Sequence, residues 1–229
     1  MKSKKIQIPR KLISILMAAA IILTFVILPA QSVSASSSTN TNKKAIAAYK
    51  RMLSKETYHW SSVDYENQTS KFSFACVDLN GDGVKELIVK NSSACYASGY
   101  YKIFTYVNNR VKCVKTCPSI AWYKKAKVIG IEDAHTGFYT GDFYKLSKKG
   151  KLVNKASYRA TDMKEYAKHV KHREGSNGFV YIYYTSYKIN GKETSYKKYK
   201  KSFKKLIKTK KYTPLNFKEN NYMNRANMK

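Results

Sequence analysis

Acidic side chains are scarce in this sequence. Over 229 residues, 14 Asp+Glu stand against 44 Lys+Arg, a formal net charge of +30. Arginine is scarce too: six of the basic residues are Arg and the rest are Lys. Lys is a strongly hydrated point charge, whereas Arg forks onto phosphate in a bidentate way. The charge therefore does not read as a dedicated nucleic-acid reader. Ten Gly and four Pro exclude collagen-like and Pro-rich low-complexity chains. The four Cys show no C-x-x-C spacing, which argues against a zinc knuckle or dithiol redox motif. No G-x-S-x-G, H-E-x-x-H or phosphate-cradling glycine loop occurs. Aromatic residues, by contrast, are plentiful, with 20 Tyr, 9 Phe and 2 Trp. A hydrophobic content of 43% is too high for a disordered polycation. The length suits one domain with a real core.

Residues 1–35 read as an export signal. Lys2, Lys4, Lys5, Arg10 and Lys11 give a positive start, and Leu12–Leu28 is nearly unbroken apolar sequence. Pro29 ends the run, and Val33-Ser34-Ala35 offers small residues for cleavage before Ser36. The alternative is an uncleaved anchor, for which the run is at the short edge of a spanning helix. Cleavage would leave a chain of about +25 outside the cytoplasm. Such a field attracts teichoic acids, acidic glycans or anionic lipid surfaces. Export argues against nucleic acid. The alternative is a compositional bias, with solvated Lys keeping the protein soluble. In an exported chain, Cys76, Cys95, Cys113 and Cys117 suggest two disulfides, with Cys95–Cys117 the most reachable pair. Reduced, buried thiols are the other reading.

The expected organisation after residue 35 is a Ser-rich linker over 36–41 and a single α+β domain over 42–229. Asn42 is placed to cap a helix whose Ile46, Tyr49, Met52 and Leu53 recur at helical spacing. Ser54 to Ser70 reads as irregular. From Lys71 the period becomes two, with Phe72, Phe74 and Cys76 alternating, and Leu87-Ile88-Val89 reads as a return strand. Hairpins are predicted around Asn108-Asn109, around the Ser-Lys-Lys-Gly at 147–150, and after Phe179–Ile189 at Asn190-Gly191. A short helix is expected over Asp162–His172 and a short strand near Leu215–Phe217. Ser195–Lys208 reads as a helix with Tyr196, Tyr199, Phe203, Leu206 and Ile207 on one stripe and Lys on the rest. The expected fold class is an antiparallel sheet of successive hairpins, about six to eight strands, packed by an N-terminal and a C-terminal helix.

One segment carries a chemical signature. In Asp78-Leu79-Asn80-Gly81-Asp82-Gly83-Val84-Lys85-Glu86, oxygen side chains stand at positions 1, 3, 5 and 9. Calcium takes six to eight oxygens from a tightly wrapped loop. Alternate residues point inward, hence Asp78, Asn80 and Asp82. Gly83 permits the sharp turn, Val84 would offer its carbonyl, and Glu86 would close the site directly or through water. Position 12 is Val89, and the flanks alternate as strands, so a full EF-hand does not fit. Within the hairpin at 72–90, Val77 to Val89 resembles the calcium hairpin of FG-GAP and VCBS-type repeats, in which D-x-[DN]-x-D-G-x-x-[DE] joins two strands. More loosely, the whole plan resembles small uncharacterised exported proteins of Gram-positive bacteria. That resemblance implies extracellular location and calcium binding, and no enzymatic activity.

Other clusters are weaker. Glu132-Asp133 beside His135-Thr136-Gly137 is the best hydrolase-like constellation, for a wall or glycan substrate, but it reads as a polar turn between strands. His169 and His172 are three apart with no acidic or Cys partner at a supporting spacing. The Lys-rich C-terminal helix could face an anionic polymer or a membrane. The Tyr-rich strands could stack on glycans or could be core.

Overall fold

In the computed structural model of the chain, the described residues are 32–60, 66–94, 99–167, 170–176, 180–209 and 211–229. The export segment through residue 31, Cys95, His169 and Phe179 lie outside them. The chain divides into two units, residues 1–37 and 38–229. The described part of the first is the opening of helix α1, Ser32–Leu53. Among the described residues no helix is long and apolar enough to cross a membrane.

After α1 come the short strands β1, Thr57–His59, and β2, Glu66–Gln68. They are followed by β3, Phe72–Val77, β4, Glu86–Asn91, β5, Tyr101–Val107, and β6, Arg110–Cys117. A second series follows: β7, Ala121–Tyr123, β8, Val128–His135, β9, Phe138–Leu146, and β10, Leu152–Thr161. It is completed by β11, His172–Ser176, β12, Val180–Ile189, and β13, Lys192–Glu193. The chain ends with α2, Tyr196–Ile207, strand β14, Lys218–Glu219, and α3, Tyr222–Ala226.

The fold is α+β, antiparallel hairpins with an N-terminal and a C-terminal helix. The strands form a five-stranded sheet, β14-β3-β4-β5-β6, and a seven-stranded sheet, β11-β12-β10-β9-β8-β7, with β13 beside β12. Strand alternation decides how they stack. Leu87 and Val89 of β4 join Ala45, Ile46, Tyr49 and Leu53 of α1. Between them Ile88 faces the other way and meets Ile129, Ile131 and Leu146 of the larger sheet. Val128 and Phe143 face outward again, against Tyr199 and Ile207 of α2. The order of layers is helix, sheet, sheet, helix.

The turn chemistry works as expected. Asn108 and Asn109 both take left-handed φ, 52° and 57°, and so do Asn190 and Gly191, 49° and 78°. Helix α2 is capped by the Ser195 side chain, which accepts from the Lys198 N–H. Its apolar stripe lies on the sheet as predicted.

Several expectations are corrected. Residues 36–41 are helical, not a linker, because α1 runs straight through them. Its buried face, Ala45, Ile46, Tyr49 and Leu53, supplies the packing that lets a Ser-rich opening propagate. Ser54–Ser70 is not wholly irregular, since β1 and β2 pair across it. A 3-10 turn at Lys164–Tyr166 stands where a helix over Asp162–His172 was expected, and His172 belongs to β11. The late strand falls at Lys218–Glu219, on β3, not at Leu215–Phe217. Cys76, Cys113 and Cys117 are free thiols, so the described residues hold no disulfide. Burial pushes the thiols of Cys76 and Cys117 up to about 12.

Candidate metal centre

The loop between β3 and β4 wraps around the carboxylate of Asp78. Gly81 N–H and Asp82 N–H donate to its Oδ1 at 2.6 and 3.2 Å, and Gly83 N–H donates to its Oδ2 at 3.0 Å. Asn80 Oδ1 accepts from Asp82 N–H at 2.9 Å, while its Nδ2 donates to Asp82 Oδ2 at 3.0 Å. Asp82 Oδ1 in turn accepts from Val84 N–H at 2.9 Å. This is a coil that draws positions 1, 3 and 5 together. It requires φ of +75° at Gly81 and +86° at Gly83, which glycine adopts without steric cost.

Glu86 lies beneath the coil and is completely buried. Its Oε2 accepts from Leu79 N–H at 2.9 Å and its Oε1 from the Thr105 hydroxyl at 3.1 Å. Burial pushes its carboxyl up to about 8; Asp82 and Asp78 push the same way, against the two hydrogen bonds. A divalent cation in the loop would relieve that burden, because it favours the ionised form. Calcium suits the donor set, which is hard oxygen throughout. Asp78, Asn80, Asp82 and Glu86 would supply side-chain oxygens and Val84 its carbonyl. Among the described residues, no three His, Cys, Asp or Glu stand together as a ready-made metal group. The carboxylates here are turned onto the loop's own N–H groups.

Helix α1 fixes the loop from outside. Asn42 is not its N-cap but sits within it, and Asn42 Oδ1 accepts from Lys85 N–H at 2.9 Å. The Tyr49 hydroxyl, two turns on, donates to the Lys85 carbonyl at 3.0 Å. Lys85 is thus held through both its N–H and its carbonyl. Nothing in the local sequence marks this clamp, because it joins residues 36 and 43 positions apart.

Beside the loop opens a groove of about 720 Å³, lined by Lys85, Lys124, Lys127 and Lys218 among others. The Lys127 side chain lies across Gly81, where an added Cβ would stand 1.9 Å from Nζ. Lys85 Nζ turns away to the Lys229 backbone oxygen at 2.8 Å.

The hydrolase-like cluster does not assemble as a turn. Glu132, Asp133 and His135 all lie in β8, with the turn beyond them at Thr136 and Gly137. Residues three apart on a strand face opposite sides, so Glu132 and His135 diverge. His135 Nδ1 meets the Thr136 hydroxyl at 3.1 Å. No family model matches the chain, and neither curated proteins nor solved structures yield a match.

Proposed function

We propose that this is an exported, non-catalytic protein. In this reading a single calcium ion pins the hairpin from Asp78 to Glu86, and the basic surface associates with anionic cell-wall polymers. The observation that carries the calcium reading is the coil around Asp78 with a buried, reluctant carboxyl beneath it. The ion would hold the register of β3 and β4 at the centre of the smaller sheet. In this reading the ion's role is structural.

Thermal melts test it. Melting temperature should rise with added calcium over EDTA, and the rise should vanish in Asp78→Ala/Asp82→Ala, because a ligand that binds only the folded state stabilises it. No shift up to about ten millimolar, near the weak end of extracellular sites, would reduce the loop to an ordinary turn.

Two features support the anionic partner. Lys197, Lys198, Lys200, Lys201, Lys204 and Lys205 of α2 are all exposed, because the apolar stripe is spent on the sheet. The lysine-lined groove adds a concave basic surface. In fractionated cells the protein should sediment with the wall and be released by about 1 M salt, which screens such contacts within a few ångströms. Lys124→Gln/Lys127→Gln/Lys218→Gln should release at lower salt. Recovery wholly in the cytoplasm, or retention indifferent to salt, would sink this part of the proposal. The hydrolase alternative through the Glu132–His135 region would have to work with side chains that alternation sets on opposite faces of β8.

A further inference from the structure

In a chain with 44 Lys+Arg, a lysine-lined groove is ordinary, and a hollow walled by carboxylates and tyrosines is not. Such a hollow, of about 250 Å³, lies between α2 and the outer face of the seven-stranded sheet. Two carboxylates line it, Glu132 and Glu174, together with the rings of Tyr158, Tyr184, Tyr187, Tyr196 and Tyr199.

The hollow is built from one rung of the sheet. Glu132 pairs with Gly141, Gly141 with Tyr158, and Tyr158 with Tyr187. Gly141 is bare so that the Tyr158 ring can cross it; an added Cβ would stand 2.1 Å from that ring. The Tyr158 hydroxyl thereby reaches Glu132 Oε1 at 2.9 Å. A bulge turns Tyr184 onto the same face as Tyr187. Arg159 pairs with Ser186, but Ala160 pairs with Tyr184, so Thr185 is the extra residue. The two rings stack at 5.6 Å and 14°. Helix α2 closes the hollow with Tyr196 and Tyr199, and Tyr199 lies 4.7 Å from Tyr187. His172 stacks on Tyr196 at 3.9 Å and meets Glu174 Oε1 at 3.0 Å, while the Tyr184 hydroxyl reaches Glu174 Oε2 at 3.4 Å.

Two observations point to what the hollow takes. Among the described residues, neither Glu132 nor Glu174 pairs with a Lys or Arg; His172 is the ion-pair partner of Glu174. Lys200, on the rim, has its ammonium 5.6 Å from the Tyr196 ring centre instead. Second, Tyr187 and Tyr199 are 1% and 6% exposed, and their hydroxyls are buried with no partner. Such groups are costly to leave unmatched. Burial first, and then the carboxylates, push the phenols of Tyr158 and Tyr184 upward, the latter to about 12, so they stay neutral. Electron-rich faces and carboxylates with no Lys or Arg partner attract a positive charge, and aromatic walls favour one that carries alkyl groups. A neutral sugar would leave the Glu132 carboxylate without a cation and Glu174 with His172 alone.

We propose that the hollow between Glu132, Glu174 and the tyrosines of β10, β12 and α2 binds a small organic ammonium ion, its charge toward the carboxylates and its alkyl groups against the rings. This site is independent of the calcium loop.

Choline and tetramethylammonium chloride are the probes, titrated at constant ionic strength and followed by NMR of the tyrosine rings. The controls are 3,3-dimethylbutan-1-ol, an uncharged isostere of choline, and N-acetylglucosamine. Choline is expected to saturate in the millimolar range or below, with the isostere at least about tenfold weaker. Glu132→Gln/Glu174→Gln should weaken choline at least about tenfold while still giving a cooperative thermal melt in EDTA, which separates loss of the site from loss of the fold. Single Glu132→Gln and Glu174→Gln chains are read alongside and should each fall between. Equal binding of the uncharged isostere would overturn the proposal, as would tighter binding of the sugar. So would the absence of saturable binding by either ammonium ion below about 50 mM, a concentration beyond the range of a specific site.

Discussion

Without calcium, the protein is expected to lose stability steadily as pH rises from about 5 to about 8, and Glu86→Gln is expected to abolish most of that loss. The folded chain holds the Glu86 proton up to about 8, against 4.5 for an ordinary Glu. Between those values the unfolded chain has released a proton that the folded chain keeps. The folded state binds more protons, so unfolding is favoured as pH rises. Each pH unit across the window costs roughly 1.4 kcal/mol, a total of several kcal/mol. Below about 4.5 both states are protonated and above about 8 both are ionised, so the slope vanishes at each end. Gln fills the same space, can accept from Leu79 N–H and can donate to the Thr105 hydroxyl, and it does not titrate. Urea melts in EDTA at pH 5, 6.5 and 8 measure the slope. An equal slope in wild type and Glu86→Gln would show that another group drives it. Calcium should flatten the wild-type slope, because it favours the ionised carboxylate, and should have a smaller effect on the Gln variant.

Glu86 also marks how far the sequence can be read. Its spacing from Asp78 is visible in the chain, and so is the coil of positions 1, 3 and 5. Its complete burial against Thr105 is not, since Thr105 arrives from β5. Turns and alternation were legible wherever the signal is local, as at Asn108-Asn109, Asn190-Gly191 and the stripe of α2. Register was legible only as far as the next bulge. A two-residue turn sets Tyr100 opposite Cys117, but Val114 is extra and Tyr101 stands there instead. The bulge at Thr185 carries the larger consequence, for it reverses the face of Tyr184 that simple alternation assigns. Bulges follow from sheet twist and neighbouring strands, not from local composition. The tyrosine hollow was therefore beyond reach, because it exists only where strands β7 to β12 and helix α2 meet. The division of the hairpins between two stacked sheets has the same origin. Alternation shows that Leu87 and Ile88 face opposite ways, and only the tertiary fold shows that both sides are covered.

Replacing Asn220 with Leu is expected to destabilise the protein by about 2–4 kcal/mol, although the residue lies in the polar run Lys218-Glu219-Asn220-Asn221. Asn220 is 4% exposed. Its Nδ2 donates to the carbonyls of Leu53 and Thr69, both at 2.8 Å. Its Oδ1 accepts from Arg225 Nη1 at 3.0 Å, and its own N–H donates to the Phe72 carbonyl at 2.9 Å. One side chain thus ties the C-terminal end of α1, the turn before β3 and the helix α3. The carbonyl of Leu53 is among the last of its helix, so it has no partner from within α1. Leu can fill the volume but leaves the Leu53 carbonyl without a donor, the Thr69 carbonyl with the Phe72 N–H alone, and Arg225 without its Oδ1 acceptor; an unsatisfied buried group costs about 1–3 kcal/mol. For a chain of this size the change corresponds to a fall in melting temperature of roughly 5–15 °C. Asn220→Asp should be at least as damaging near neutral pH, because it sets a carboxylate against two carbonyl oxygens, with Arg225 as its one favourable neighbour. Met223→Ala, at an exposed position of α3, is the control and should change stability by less than about 0.5 kcal/mol. A melting temperature for Asn220→Leu within a degree or two of wild type would mean that the cleft admits water to both carbonyls. In that case the C-terminal segment contributes packing, and the hydrogen bonds of Asn220 add little to it.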